Sequence, residues 1–358
     1  MIEVYPEQYE LLLEEKKKAI QTLFKHVEHP ELAMYHSAPS HFRERVEFKI
    51  WHEGGKLSYA MFNKGDKKTP IKLMSFPRAS EKIANLMPEL LKKIETSETL
   101  SKRLFQIDFL STLRGGTLVT LIYHKKLTED WEEEARQLKD TFDIDLIGRS
   151  RKQKIIFDKD YVVETLSVAN KHFTYQQIEN SFTQPNAGVC EKMLTWAYEN
   201  TRNSEGDLLE LYCGNGNFTL PLSQNFNQVL ATEIAKSSVK SAHENLESNN
   251  ITNVNIVRLS SEEITQALNR DREFRRLAHI NLDDYNFKTI FVDPPRCGLD
   301  DKTLALVSSF DRIIYVSCNP ETLRDNMEKL ADHKIEKFAL FDQFPYTDHI
   351  ECGVILNK

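Results

Sequence analysis

The sequence predicts an α/β protein in two parts, a C-terminal Rossmann-like, mostly parallel sheet preceded by an N-terminal α+β domain rich in hairpins. Three observations carry that reading. A chain of 358 residues is too long for one compact hydrophobic core. From about Glu179 onward, short apolar runs alternate with helical segments, the pattern of a parallel sheet covered on both faces. Before it, two pairs of extended runs are each interrupted by a double glycine, the mark of a β-hairpin.

The elements follow in order. Residues 1 to about 30 read as a helix, with Tyr9, Leu12, Leu13, Lys16, Ile20, Leu23 and Phe24 at helical spacing and His29-Pro30 as its stop. "RVEFKIWHEGGKLSYAMF" folds back at Gly54-Gly55, and "FQIDFLSTLRGGTLVTLIYH" at Gly115-Gly116, because glycine is the default where φ must be positive. Ala79 to Ile94 reads as a helix, and Thr128 to Asp143 as an acidic amphipathic one. The later strands are "DLLELYC", "QVLATEI", "VNIVRL", "TIFVDPP", "RIIYVSC" and "KIEKFALFD". The pattern changes between Tyr161 and Glu179. The expected division is therefore a helical segment over 1–30, a hairpin-rich domain over 31–175, and the α/β domain over 176–358.

Composition narrows the class. Hydrophobic content of 40% and charged content of 28% are those of an ordinary globular chain. No apolar run approaches the roughly 20 residues a bilayer requires, so no membrane is expected as a partner. The start, "MIEVYPEQYELLLEEKKK", has no basic region followed by an apolar one, which predicts a cytoplasmic protein. Cys190, Cys213, Cys297, Cys318 and Cys352 include no CxxC pair. Neither a disulfide framework nor a metal or iron–sulfur site is expected from them. A net charge of −7 argues against a nucleic-acid partner on average. The average conceals a polarity, however. Arg43, Arg45, Lys49, Lys56, Lys64, Lys67, Lys68, Lys72 and Arg78 outnumber the acids between Phe42 and Arg78, and "GRSRKQK" follows at Gly148 to Lys154. These clusters are either a solvated face or a phosphate-binding surface.

In the C-terminal half, "DLLELYCGNGNFTL" is an apolar strand that ends in a glycine loop, Gly214 and Gly216, and enters a helix. Ligands of such sheets bind outside the carboxyl ends of the strands. The loop lacks the third glycine of a dinucleotide fingerprint, and GxG alone also occurs in tight turns. Glu233 sits at the next strand's end, about twenty residues on, where a carboxylate can accept both hydroxyls of a ribose or merely favour a helix N-terminus. Loop and carboxylate together point to an adenosine-bearing cofactor, S-adenosylmethionine in preference to NAD. Two further strand ends carry unusual chemistry. "TIFVDPPRCG" leaves the sheet rigidly at Asp293-Pro294-Pro295, and "IIYVSCNPETL" places Cys318 just past a strand. Cys213, Cys297 and Cys318 all lie near strand ends, and spacing does not choose among them.

Together "LLELYCGNGNFTL", "ATEIAKSSV", "FVDPPRCGLD", "YVSCNPETL", "LFDQFPYTDHIECGVIL" and "SFTQPN" resemble the RNA 5-methyluridine methyltransferases. "EFKIWHEGG", "FPRAS", "LFQIDFLSTL" and "YHKKL" extend the resemblance across the chain, toward the bacterial tRNA (uracil-5-)-methyltransferases in particular. The resemblance implies that Cys318 is the nucleophile and Glu351, in "HIEC", the proton acceptor. His349 is a rival base. It implies S-adenosylmethionine contacts at Gln184, Tyr212, Asn217, Glu233 and Asp293, beside Gly214 of the glycine loop. The chemistry it implies is addition of the Cys318 thiolate to uracil C6, methylation at C5, loss of the C5 proton to Glu351, and elimination of the sulfur.

The implied substrate is the T-loop uridine at tRNA position 54, with the T-like arm of tmRNA as a secondary one, and no obligate protein partner. Such a base must be flipped out of its fold. Phe48, Trp51, Phe105, Phe109 and Tyr123, among Arg43, Arg45, Lys49, Arg114, His124 and Lys125, are the candidates to meet RNA, with at most two of the aromatics expected to do so. Some relatives that act on ribosomal RNA carry a cysteine-ligated iron–sulfur cluster. This chain has no cysteine before Cys190, which favours tRNA. The alternatives are the same chemistry on ribosomal RNA, or an RNA-binding or folding protein whose methyltransferase half is vestigial.

Overall fold

The computed structural model describes residues 3–63, 65–66 and 68–358. Lys64 and Lys67 of the first basic cluster lie outside the described residues. The chain divides into two compact units.

It begins with α1 (Tyr9–Leu23) and β1 (Leu32–Tyr35), both in the second unit. The first unit then opens with the hairpin β2 (Arg45–Glu53) and β3 (Lys56–Met61). Its turn holds Gly54 and Gly55 at φ of 58° and 79°, left-handed values that suit the twist of a two-residue hairpin. After β4 (Ile71–Leu73), α2 (Glu81–Glu95) and α3 (Glu98–Ser101) comes the second hairpin, β5 (Leu104–Ser111) and β6 (Thr117–Tyr123). Here Gly115 is left-handed, at 89°, but its partner Gly116 is not. The unit continues with α4 (Glu129–Phe142), β7 (Asp145–Ser150) and β8 (Gln153–Ile156).

These strands form one sheet in the order β4-β3-β2-β5-β6-β7-β8, antiparallel except where α4 carries the chain from β6 to a parallel β7. Alternation along β2 turns Val46, Phe48 and Ile50 into the core and Arg45, Glu47 and Lys49 outward. The core is closed by Ile83, Met87, Leu90 and Ile94 of α2 and by Trp131, Ala135 and Leu138 of α4. Gly148 is required by this packing, since a Cβ there would stand 2.1 Å from the Trp131 ring. A further hairpin, β9 (Tyr161–Val168) and β10 (Lys171–Ile178), pairs only with itself.

The second unit holds α5 (Ala187–Glu199), β11 (Asp207–Leu211), α6 (Thr219–Leu222), β12 (Val229–Thr232), α7 (Lys236–Ser248), β13 (Val254–Val257), α8 (Ser261–Leu268), β14 (Phe287–Val292), α9 (Asp301–Ser308), β15 (Arg312–Ser317), α10 (Pro320–Lys329), β16 (Lys334–Phe341) and β17 (Glu351–Asn357). The sheet order is β1-β16-β17-β15-β14-β11-β12-β13. β17 alone runs antiparallel to its neighbours. Every residue of β11 and β12 is buried, as a sheet covered on both faces demands. The order reverses between β11 and β14, the topological switch point at which such sheets bind ligands.

The N-terminus departs from the expected division. The helix stops at Leu23 instead of about residue 30, and β1 pairs in parallel with β16, Leu32 opposite Phe338 through Tyr35 opposite Phe341. Residues 7–37 thus belong with the C-terminal sheet. The cause is burial: Tyr9, Leu13, Ile20 and Phe24 are all in that unit's core, and the Phe24 ring lies 4.9 Å from that of Phe338. Nor is the later boundary a single point at 175. Residues 166–176, the turn half of the β9–β10 hairpin, group with the second unit, and 177–187 return to the first. Among the described residues, no helix is long and apolar enough to cross a membrane.

Candidate active site

The glycine loop follows β11 at the switch point. Tyr212 adopts φ of 61°, a left-handed value uncommon for a residue with a bulky side chain. Gly214 (57°) and Gly216 (84°) share that region. The two glycines differ in why they are needed. A Cβ on Gly216 would stand 2.8 Å from Leu220, whereas one on Gly214 would meet nothing within 4 Å. Gly214 therefore borders open space at the carboxyl edge of the sheet. Its N–H donates to Glu233 Oε2 at 3.1 Å, and Ala235 N–H donates to Oε1 at 2.7 Å, so both carboxylate oxygens of Glu233 are fixed from the backbone. Behind the loop, the Asn217 amide contacts the Cys190 sulfur at 3.5 Å, and the Asn217 carbonyl accepts from Tyr175 Oη at 3.0 Å.

Cys318 comes from the end of β15, where Asn319 caps α10 by accepting from Glu321 N–H, with Pro320 in the first turn. This arrangement stops the strand and starts the helix within three residues. The Asn319 side chain also donates to the Arg296 carbonyl at 3.1 Å, joining the Cys318 loop to the one that follows Asp293. The inserted strand brings the last group. Cys352 pairs with Ser317 on β15, and Glu351 with Phe341 on β16. Because β17 runs backwards, its first residue, Glu351, stands level with Cys318 at the edge where the parallel strands finish. Cys352 takes the other side of the strand and is fully buried in the core.

Electrostatics ties these groups together. Cys318 is half-exposed, and its thiol is pushed up to about 11, first by burial, then by Glu351 and Asp293, with Arg296 pulling the other way. Burial lifts Asp293 to about 7. Burial and then Asp293 hold the Glu351 carboxyl well above the usual carboxylate range. A third raised carboxyl, Glu210 in the middle of the apolar β11, stands at about 8, mainly through burial and further through Asp293. Its Oε2 has no hydrogen-bond partner among the described residues.

The structure thus separates the three strand-end cysteines that spacing left equal. Cys213 is buried and its thiol is driven up by that burial. Cys297 is exposed. Cys318 alone combines partial access with Glu351 and Asp293 beside it. Gly214 and Glu233 are in direct contact, Tyr212 and Asn217 shape their loop, and His349 is exposed with its ring against Phe344. Gln184 lies in the first unit, half-buried between β10 and α5. Sequence reading passed over Glu210, although an acid within an otherwise apolar strand was a visible signal.

In the first unit, a bulge in β5 between Leu104 and Gln106 re-aims Phe105. The Phe105 ring stacks on that of His124, with centroids 4.0 Å apart and planes at 22°, and Lys49 Nζ sits 3.9 Å from the Phe105 centroid. Phe105 and His124 border a cleft of about 890 Å³ lined also by Lys125, Lys126, Arg149 and Arg151. Of the five candidate aromatics, Phe48, Phe109 and Tyr123 are core, which leaves Trp51 and Phe105 accessible. In the second basic cluster, Arg149 and Lys154 are committed to ion pairs with Glu179.

Residues 8–358 match the family model described as tRNA (Uracil-5-)-methyltransferase. The chain belongs to that family. The family resemblance read from the motifs is borne out. A relative from Saccharophagus degradans named tRNA/tmRNA (uracil-C(5))-methyltransferase is 56% identical over 355 residues, covering 99% of this chain and 97% of its own. One of the same name from Neisseria meningitidis is 55% identical over 356 residues, covering 98% and 97%. Among solved structures, the Pyrococcus abyssi tRNA (uracil-54, C5)-methyltransferase, in complex with S-adenosyl-L-homocysteine, superposes with a TM-score of 0.73 at 20% identity, over 97% of this chain and 83% of that one. This family member therefore shares its fold with that protein, and the α/β architecture with a Rossmann-like sheet agrees with the fold class expected from the sequence.

Proposed function

We propose that this protein methylates C5 of a uridine in tRNA, the T-loop uridine at position 54, with S-adenosylmethionine as methyl donor, Cys318 as nucleophile and Glu351 as proton acceptor. The T-like arm of tmRNA is a second substrate under the same reading. One observation carries it: in a chain of this family, β17 sets Glu351 level with Cys318 at the ligand-binding edge of the sheet.

The loop fits the cofactor. Open space over Gly214 admits close backbone approach, the Glu233 carboxylate is held where a ribose would lie, and Glu210 leaves an unpartnered buried oxygen nearby. Gly214, Glu233, Asn217, Tyr212 and Asp293, all in the second unit, would hold it. When bound, S-adenosylmethionine supplies the methyl group and, as a sulfonium, a positive charge. A positive charge held at this edge of the sheet would favour the ionised forms of Asp293 and Cys318 over the neutral ones.

Uracil C5 is a weak nucleophile. Addition of the Cys318 sulfur to C6 moves electron density to C5 as an enolate, so a difficult substitution is divided into easier steps. After C5 has accepted the methyl group, Glu351 takes the C5 proton, the C6–S bond breaks, and the ring is restored. A carboxylate whose affinity for protons is raised by burial is a stronger base, which suits this step. The stacked Phe105–His124 pair, with Lys49, Lys125 and Arg151 around it, supports an RNA-binding role for the first unit, since aromatic and cationic planes replace the stacking an extruded base loses.

The test uses uridine-containing T-arm RNA. Cys318→Ala should bind RNA but form no covalent complex, and Glu351→Gln should accumulate a covalent protein–RNA complex that wild type resolves. Equal methylation of ribosomal RNA fragments would overturn the substrate assignment. RNA binding without methyl transfer by wild type would overturn the enzymatic one.

A further inference from the structure

We infer that Lys16, on the N-terminal helix α1, is a positioning residue for Glu351. The inference rests on the proposed role of Glu351 as proton acceptor. The chain leaves β16 at Phe341, crosses the loop 342–350 and re-enters the sheet at Glu351, which pairs with Phe341. The location of the proposed base therefore depends on how the two ends of this loop are held together.

Lys16 holds both. Its Nζ donates to Asp342 Oδ1 at 2.7 Å, to the Phe344 carbonyl at 2.8 Å and to the His349 carbonyl at 3.1 Å. An ammonium has three N–H groups and no acceptor, so all three are assigned. Asp342 is the first residue of the loop, and His349 is two residues before Glu351. The side chains are 10% and 2% exposed, so the charge-assisted hydrogen bonds are little weakened by solvent. The loop is further shaped from within. Thr347 Oγ1 donates to the Phe344 carbonyl and accepts from His349 N–H, and Tyr346 takes φ of 61°. The Tyr346 ring meets that of Tyr9 edge-on at 6.3 Å. α1 thus grips the loop at two points, Lys16 on its ends and Tyr9 on its middle.

A buried ion pair of this kind adds little net stability over an apolar replacement, because desolvation offsets the attraction. Its more direct consequence is to select one loop geometry. Without the clamp, Glu351 remains a carboxyl in the sheet, but its distance from the proton it must take is no longer fixed. Displacement of a reacting group by about 1 Å costs on the order of 100-fold in rate.

The experiment is single turnover with uridine-containing T-arm RNA and S-adenosylmethionine, following covalent complex and methylated product on denaturing gels. Lys16→Gln and Lys16→Met should slow resolution of the covalent complex by about 10- to 100-fold, while 5-fluorouridine RNA is trapped at a rate within about twofold of wild type. Lys16→Gln added to Glu351→Gln should slow resolution no further than Glu351→Gln alone, since the two act as one unit. Lys16→Arg, which keeps a charged donor, should recover most of the loss. If the Lys16 variants do not fold, Asp342→Asn carries the same expectation. Normal resolution in the Lys16 variants while Glu351→Gln accumulates complex overturns the positioning role. So does a loss of trapping and resolution in equal proportion, the signature of a merely structural role. Normal resolution in Glu351→Gln itself marks failure of the underlying reading instead.

Discussion

In the protein without its ligands, Cys318 should be an unreactive thiol, and this is open to direct chemical test. Burial, Glu351 and Asp293 together raise it to about 11, against roughly 8.5 for a free cysteine. At pH 8 a thiol at 11 is about 0.1% thiolate and one at 8.5 about 25%, so the reactive form is depleted about 200-fold. A more basic thiolate is intrinsically more nucleophilic, by about tenfold over this interval. The net expectation is alkylation about 20-fold slower than an ordinary thiol of equal access. A short iodoacetamide pulse between pH 7 and 11, followed by peptide mass spectrometry, reads each cysteine separately. The buried Cys190, Cys213 and Cys352 should stay unlabelled, and exposed Cys297 serves as reference. Labelling at Cys318 should still climb steeply at pH 9 to 10, and Glu351→Gln should move the inflection down, because it removes the largest contribution after burial. An inflection near that of a free cysteine, or one indifferent to Glu351→Gln, would refute this electrostatic description of the site.

Three further outcomes follow from the geometry. Gly214→Ala should fold, at a cost of about 1–2 kcal/mol for its left-handed backbone, because its Cβ meets nothing within 4 Å. Isothermal titration should nevertheless show weakened S-adenosylmethionine binding, since the methyl occupies the space assigned to the cofactor. Gly148→Ala, with its Cβ 2.1 Å from Trp131, should be strongly destabilised in thermal melts without any such specific effect. Phe105→Ala should weaken T-arm RNA binding by about 1–3 kcal/mol, a factor of roughly 5 to 150 in Kd, the worth of one base stack. An unchanged affinity in a filter-binding titration would exclude the Phe105–His124 platform.

The second unit's sheet was legible because its strands are buried on both faces and read as continuous apolar runs between helices. β17 was not, since "ECGVILN" lies beyond the alternating pattern and its antiparallel slot between β15 and β16 is a property of the whole sheet. Cys318 and Glu351 accordingly entered through motif resemblance. Only register shows that they stand level. β1 was missed for a related reason: four residues carry little periodicity, and their pairing with β16 spans some three hundred residues of sequence. The apolar stripe of α1 was visible, but not which core it covers, so the role of Lys16 could not be read. Among the aromatics of the first unit, composition named five candidates. Strand parity and one bulge left Phe105 and Trp51 facing outward.

The proposed methyl transfer requires a transient bond between the Cys318 sulfur and C6 of uracil. Incubation with S-adenosylmethionine and T-arm RNA bearing 5-fluorouridine at the target position tests it most directly, because fluorine cannot leave as a proton does. A stable protein–RNA complex should form, and proteolysis followed by mass spectrometry should place the nucleotide on Cys318. Absence of that complex, or the nucleotide attached to another cysteine, would contradict the mechanism.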